Sequence, residues 1–144
     1  MIRDSQQRPH QRLDVWRDAM ALVEATYRLT EHFPSTERFG LTMQLRRSAV
    51  SVPSNIAEGV ARRSTAEYLR FLSIARGSLS ELDTQMQIAE RLELAQPDAA
   101  TVELIDRTFA RLNALIRSLE KPHCIREPVD AYESRIPNHE SHAR

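Results

Sequence analysis

The chain has 144 residues, with 20 basic and 20 acidic side chains and a formal net charge of zero. That length suits one domain with a sizeable core, and the neutral balance excludes a global field drawing the protein to nucleic acid or an anionic membrane. Three glycines and 6% aromatic residues argue against all-β and glycine-loop enzyme architectures. A single cysteine, Cys124, excludes an internal disulfide framework and fits a reducing compartment. The opening "MIRDSQQRPHQR" has no apolar signal core, and no apolar run approaches membrane-spanning length, so a cytoplasmic protein with no membrane partner is expected. Lys121 is the only lysine; the remaining basic residues are arginine. Arginine forks onto phosphates and stacks on bases, but it serves structural ion pairs equally well, and a GC-rich genome favours its codons.

In chain order, residues 1–12 read as a flexible polar tail. The first helix is marked by Val15, Ala19, Leu22, Thr26, Leu29 and Phe33, which recur in alternating steps of four and three. Asp14 is its expected N-cap and Pro34 its stop. The second segment, about Thr36 to Glu58, carries Leu41, Leu45, Ala49, Val52 and Ile56 on one side. Beside them runs a polar line of Arg47, Ser51, Ser54, Glu58 and Arg62. The apolar phase persists across Pro53, which predicts a helix kinked at that proline, with Ser51 and Ser54 placed to satisfy nearby backbone groups. Gly59 fits a left-handed C-cap, and a short turn then leads into the third helix.

That third helix is the most regular: Tyr68, Leu72, Ala75, Leu79, Leu82, Met86 and Ala89 keep one rhythm to about Leu92. Ser64-Thr65-Ala66-Glu67 reads as a reciprocal capping box at its start. The fourth helix begins at Pro97-Asp98, with proline in the first turn, and carries Ile105, Thr108, Leu112, Leu115 and Leu119 before Pro122 stops it. Residues 122–144 read as a second flexible tail. Short connections between long amphipathic helices imply an all-α, antiparallel, up-down four-helix bundle over residues 13–121.

A second apolar set adjoins these stripes: Trp16, Met20, Val23 and Tyr27, then Phe71, Ile74 and Ile88, then Val102, Phe109 and Ile116. It reads either as a broad internal core or as a subunit interface. Between Arg38 and Arg63 the chain carries five arginines (38, 46, 47, 62, 63) against one acid, Glu58, a local net charge of +4. With Arg70 these form the candidate nucleic-acid-binding set, and Arg62 and Arg63 stand just before a helix N-terminus, where anions are favoured. The competing reading pairs them with carboxylates or leaves them solvated. Aromatics suited to base stacking are not interleaved with them in sequence. Arg47, Asn55 and Glu58 are candidates for a register-fixing polar network, with a solvated stripe as the alternative.

No catalytic, metal or cofactor site is expected. His139 and His142, and His123 beside Cys124, fall in the C-terminal tail, and a structural zinc site needs close, fixed ligands. No nucleophile elbow, P-loop, zinc-protease or dinucleotide signature occurs, and Glu81 and Asp83 point to different helix faces.

Three stretches, "LDVWRDAMALV", "FPSTERFGLTMQLRRSAVSVPSNIAEGVARRS" and "EYLRFLSIARGSLSELDTQMQIAERL", resemble the four-helix-bundle proteins first noted as open reading frames in ribosomal RNA intervening sequences. The likeness covers about residues 13 to 94, with a looser remainder to about 120. Its specific block maps onto Arg46, Arg47, Ser51, Pro53, Asn55, Glu58 and Gly59, taken as mainly structural. Gly77, Ser78, Leu79 and Glu81 follow downstream. The chain departs from the pattern at "GVARRS", where an aromatic commonly follows the glycine. The resemblance implies a small bacterial bundle that assembles as a ring-like homopentamer. Related accessory proteins of diversity-generating retroelements bind a reverse transcriptase and nucleic acid through a basic surface. The expected function is therefore a non-enzymatic, homo-oligomeric binding or accessory module contacting RNA or a nucleic-acid enzyme. The alternative is an oligomeric protein scaffold with no nucleic-acid role.

Overall fold

A computed structural model describes residues 7–122, so half of the expected N-terminal tail and all but Pro122 of the C-terminal one, with His123, Cys124, His139 and His142, lie outside the described residues. Four helices and no strand occupy that range: α1 (Asp14–Thr30), α2 (Leu41–Val60), α3 (Thr65–Arg91) and α4 (Ala99–Glu120). Each packs on its neighbours in sequence, and α4 closes back onto α1. This is the up-down arrangement that short connections impose. No helix among the described residues is long and apolar enough to cross a membrane.

The predicted stripes meet on the bundle axis. Val15, Ala19 and Leu22 from α1 pack with Leu45, Ala49, Val52 and Ile56 from α2, with Leu72, Ala75, Leu79, Leu82 and Met86 from α3, and with Ile105, Leu112 and Ile116 from α4. Three threonines share this interior because each hydroxyl donates back to a carbonyl one turn earlier. Thr26 reaches Leu22 O at 2.7 Å, Thr30 reaches Thr26 O at 2.8 Å, and Thr108 reaches Leu104 O at 2.7 Å. A buried hydroxyl satisfied in this way avoids the cost of an orphaned polar group.

The helix ends differ from expectation in instructive ways. Leu13, not Asp14, occupies the α1 cap position, and Asp14 begins the first turn, where its charge still favours the helix dipole. The chain before it, Pro9–Arg12, forms a 3-10 turn whose His10 ring meets Trp16 edge-on at 5.2 Å. α2 begins at Leu41 rather than near Thr36. Ser35–Glu37 form a separate 3-10 turn after Pro34, and the Glu37 carboxylate accepts from the Leu41 N–H at 3.2 Å. Pro97 precedes α4 instead of entering its first turn. Asp98 is the cap, accepting from Thr101 N at 2.8 Å, and those bonds hold its carboxyl below the usual range. Ser64 caps α3 by accepting from Glu67 N at 3.2 Å, the serine half of the predicted box.

Gly59 is not a left-handed cap. α2 continues through it to Val60, and no glycine among the described residues has positive φ. Gly59 instead permits close approach by α3. A Cβ there would stand 3.0 Å from the Phe71 Cβ, 3.0 Å from Tyr68 Cδ2 and 3.2 Å from the Tyr68 carbonyl oxygen. Burial at this contact also raises the Tyr68 hydroxyl above its ordinary pKa. α2 runs as one helix with Pro53 buried inside it. Ser54 donates to Val50 O at 2.7 Å as expected, whereas Ser51 turns across the interface to share a 2.8 Å hydrogen bond with Ser78.

Candidate nucleic-acid interface

The structure divides the six candidate arginines between the two ends of α2, which are roughly 30 Å apart at 1.5 Å per residue. At the N-terminal end, Arg38, Arg46 and Arg47 converge on an open cleft of about 690 Å³ between α1 and α2, together with Tyr27, Phe39, Thr42, Met43, Val50 and Ser51. Arg46 is held by two partners. Its Nε donates to Thr30 Oγ1 at 2.8 Å, and its guanidinium carbon lies 4.4 Å from the centre of the Tyr27 ring. Arg38 follows the 3-10 turn, with its guanidinium carbon 5.3 Å from the centre of the Phe39 ring. Phe39 is 78% exposed, the most open large apolar side chain described.

At the other end, Arg62 bonds to Glu58 at 2.7 Å and covers the Phe71 ring at 4.6 Å, while Arg70 approaches the same ring at 5.7 Å. Arg63 lies exposed in the turn before α3. The network considered for Arg47, Asn55 and Glu58 does not form. Eleven residues of helix separate Arg47 from Glu58 by about 16 Å, beyond the reach of a direct contact. Glu58 pairs with Arg62 instead, Asn55 donates to Ser51 O at 2.8 Å, and Arg47 is left to the cleft.

Sequence order also concealed the aromatics. Tyr27 comes from the far end of α1 and reaches Arg46 only because α1 and α2 pack side by side. Phe39 directly follows Arg38, a local signal that was available and that the helix periodicity does not use. Phe39 therefore already lies between Arg38 and Arg46 in the linear pattern, contrary to the sequence reading, and Tyr27 joins the basic groups in space.

Two further polar groups were not anticipated. Asp18, buried on α1, accepts from Arg107 at 3.2 and 3.3 Å and from Arg111 at 2.6 Å, joining α1 to α4. The available signal was an acid inside the apolar stripe facing arginines one turn apart on α4. Along the α2–α3 contact, the Ser48 hydroxyl donates to Gln85 at 2.9 Å, and its neighbours Ser51, Ser78 and Glu81 line a second, more polar cleft that also receives Arg47. Among the described residues, no three His, Cys, Asp or Glu side chains gather to hold a metal ion.

The second apolar set splits. Ile116 enters the core, and Trp16, Val23 and Phe109 pack against it. Met20, Tyr27, Ile74, Ile88 and Val102 stay 40–48% exposed. The broad-core reading is right for the first group, and a surface apolar population remains.

No curated protein matches this sequence. The model of the family described as 23S rRNA-intervening sequence protein matches residues 11–117, and the chain belongs to that family.

Proposed function

We propose that this protein is a non-enzymatic, self-associating accessory module that contacts RNA through the arginines of the α1–α2 cleft. The observation that carries this reading is the state of Arg38, Arg46 and Arg47. Although the chain has as many acids as bases, none of the three forms an ion pair among the described residues. Arg17, Arg28, Arg62, Arg107 and Arg111 are each paired with a carboxylate elsewhere, whereas these three cations share one open concavity. Such local charge is what phosphate contacts require of a neutral protein.

Self-association is the reading given to the exposed Met20, Ile74, Ile88 and Val102, apolar side chains that the bundle leaves 40–48% open and that a second copy would cover. The family resemblance supplies the pentameric ring as the expected stoichiometry, and each added copy would repeat the cleft. The apolar part of that cleft, Phe39, Met43 and Val50, favours a second reading, a scaffold that docks a protein partner there.

Salt separates the two readings. RNA binding by the full chain is expected to weaken linearly with log salt, and Arg38→Ala or Arg47→Ala should each lower the slope by about one phosphate contact. Light scattering should give a multiple of the 16.6 kDa chain mass. Absent or salt-insensitive RNA binding would leave the scaffold, and a monomer in solution would remove self-association.

A further inference from the structure

We infer that the α1–α2 cleft is a stacking slot for an unpaired nucleobase, so that the RNA this site takes is single-stranded. The inference rests on the RNA reading above and specifies its ligand. Tyr27 and Arg46 form a layered platform, the guanidinium lying 4.4 Å from the ring centre. The Nε–Thr30 hydrogen bond of 2.8 Å fixes that guanidinium in place, so little side-chain freedom remains to be lost on binding. Thr30 is itself anchored, donating to Thr26 O at 2.8 Å. The platform is therefore built before any ligand arrives.

Phe39 supplies an accessible aromatic surface beside it, 78% open to solvent, at the rim of the same 690 Å³ concavity. That volume lies within the roughly 300–1,000 Å³ range of small-ligand sites, enough for a base and its sugar. Arg38 and Arg47 flank the aromatics and supply cations for the adjoining phosphates. Aromatic surfaces next to unpaired arginines suit a strand whose base faces are free, because every base offers a π-face. A duplex hides those faces, and three arginines in one cleft do not form the extended basic stripe that tracks a double helix.

The opposite end of α2 offers a contrast. Phe71 is approached by Arg62 at 4.6 Å and Arg70 at 5.7 Å, and Glu58 neutralises Arg62 at 2.7 Å. Arginine covers aromatic rings at both ends, but Phe71 is only partly exposed whereas Phe39 is 78% open, so this end offers a base no comparable aromatic surface.

The test uses the full chain, a single-stranded RNA carrying 2-aminopurine, and a duplex of the same length, at one fixed salt concentration. Binding should quench the 2-aminopurine emission, and the single strand should bind roughly tenfold or more tightly than the duplex. Phe39→Leu, at a position too exposed to disturb the core, should abolish most of the quenching and weaken single-strand binding by about tenfold, with duplex binding unchanged. Arg47→Ala should weaken both ligands alike. Equal affinity for both RNAs, or Phe39→Leu binding as the parent does, would overturn the slot while leaving RNA contact intact. Failure of both RNAs to bind would overturn the slot and the RNA reading together.

Discussion

Asp18→Ala should destabilise the bundle by about 2 kcal/mol. The carboxylate is nearly buried, with 8% of its side chain exposed, and accepts three hydrogen bonds from two arginines, one as short as 2.6 Å. Breaking a fully buried pair costs about 3–5 kcal/mol, because a charge is stranded away from water. Here Arg107 and Arg111 keep 47% and 43% of their side chains exposed and would rehydrate, so the loss should fall below that range. It should still exceed the roughly 0.2–1 kcal/mol of a surface pair, since α1 and α4 lose their polar tie and the buried site is left with a gap. Urea unfolding followed by far-UV circular dichroism, at one fixed protein concentration, measures the difference. Glu24→Ala is the control. Its 3.7 Å pair with Arg28 is exposed on both sides, and its loss should stay below about 0.5 kcal/mol. If Asp18→Ala were no more costly than Glu24→Ala, or if its effect simply added to that of an Arg107→Met/Arg111→Met double variant, the clamp would be decorative and this reasoning refuted.

The same substitution at two glycines should have opposite signs. Gly77→Ala, with nothing within 4 Å of the new Cβ, should stabilise by about 0.5–1 kcal/mol through helix propensity, while Gly59→Ala should lose more than that gain because its Cβ would press on Phe71 and Tyr68 at 3.0 Å, a difference readable in thermal melts. Glu93 has φ of 57° just beyond α3, where Leu94 N–H reaches Ala89 O at 2.9 Å and Glu93 N–H reaches Glu90 O at 3.0 Å. Glu93→Gly should therefore raise stability by about 1 kcal/mol in chemical denaturation, because glycine accepts this conformation without a Cβ penalty. Asp98 is held below the usual carboxylate pKa by its bonds to Thr101, so its contribution is present above about pH 4 and is lost as pH falls through the depressed value. An Asp98→Ala variant should be less stable at neutral pH and converge on the parent in acid, as a pair of pH-dependent melts would reveal.

The bundle was legible in the sequence because helix periodicity and core burial are the same physical fact viewed twice. Leu72, Ala75, Leu79, Leu82 and Met86 recur at steps of three and four, and one side of a helix is all that such a pattern can occupy. The caps were partly legible. Ser64 sits where expected because a side-chain oxygen near the first free N–H groups is a local relation, whereas Asp98 takes the cap that the reading of Pro97-Asp98 as the helix start did not assign to it. Gly59 misled for the opposite reason. From sequence alone, a glycine near a helix end fits a left-handed turn, but the demand on this one comes from Tyr68 and Phe71, nine and twelve residues away on another helix. Glu93 shows the converse case, a left-handed position filled by a residue that carries no sequence signal for it.

The candidate site was legible as charge and illegible as shape. Counting arginines against acids picked out a basic segment, since net charge over a short stretch does not depend on the fold. Whether each arginine is free depends on which carboxylates the fold brings near. Glu58 had two arginine partners on its own helical line, Arg47 eleven residues back and Arg62 four residues ahead, and the spacing alone selects Arg62. The consequence runs through to function: Arg47, about 16 Å along the helix from Glu58, has no carboxylate within ion-pair distance among the described residues and lines the cleft together with a tyrosine that only tertiary packing delivers. The distinction between a solvated basic stripe and an RNA-contacting cleft therefore lies in the α1–α2 contact. A substitution that shifts this contact while leaving every arginine in place, such as Thr30→Val at the Arg46 anchor, should weaken RNA binding without changing the net charge.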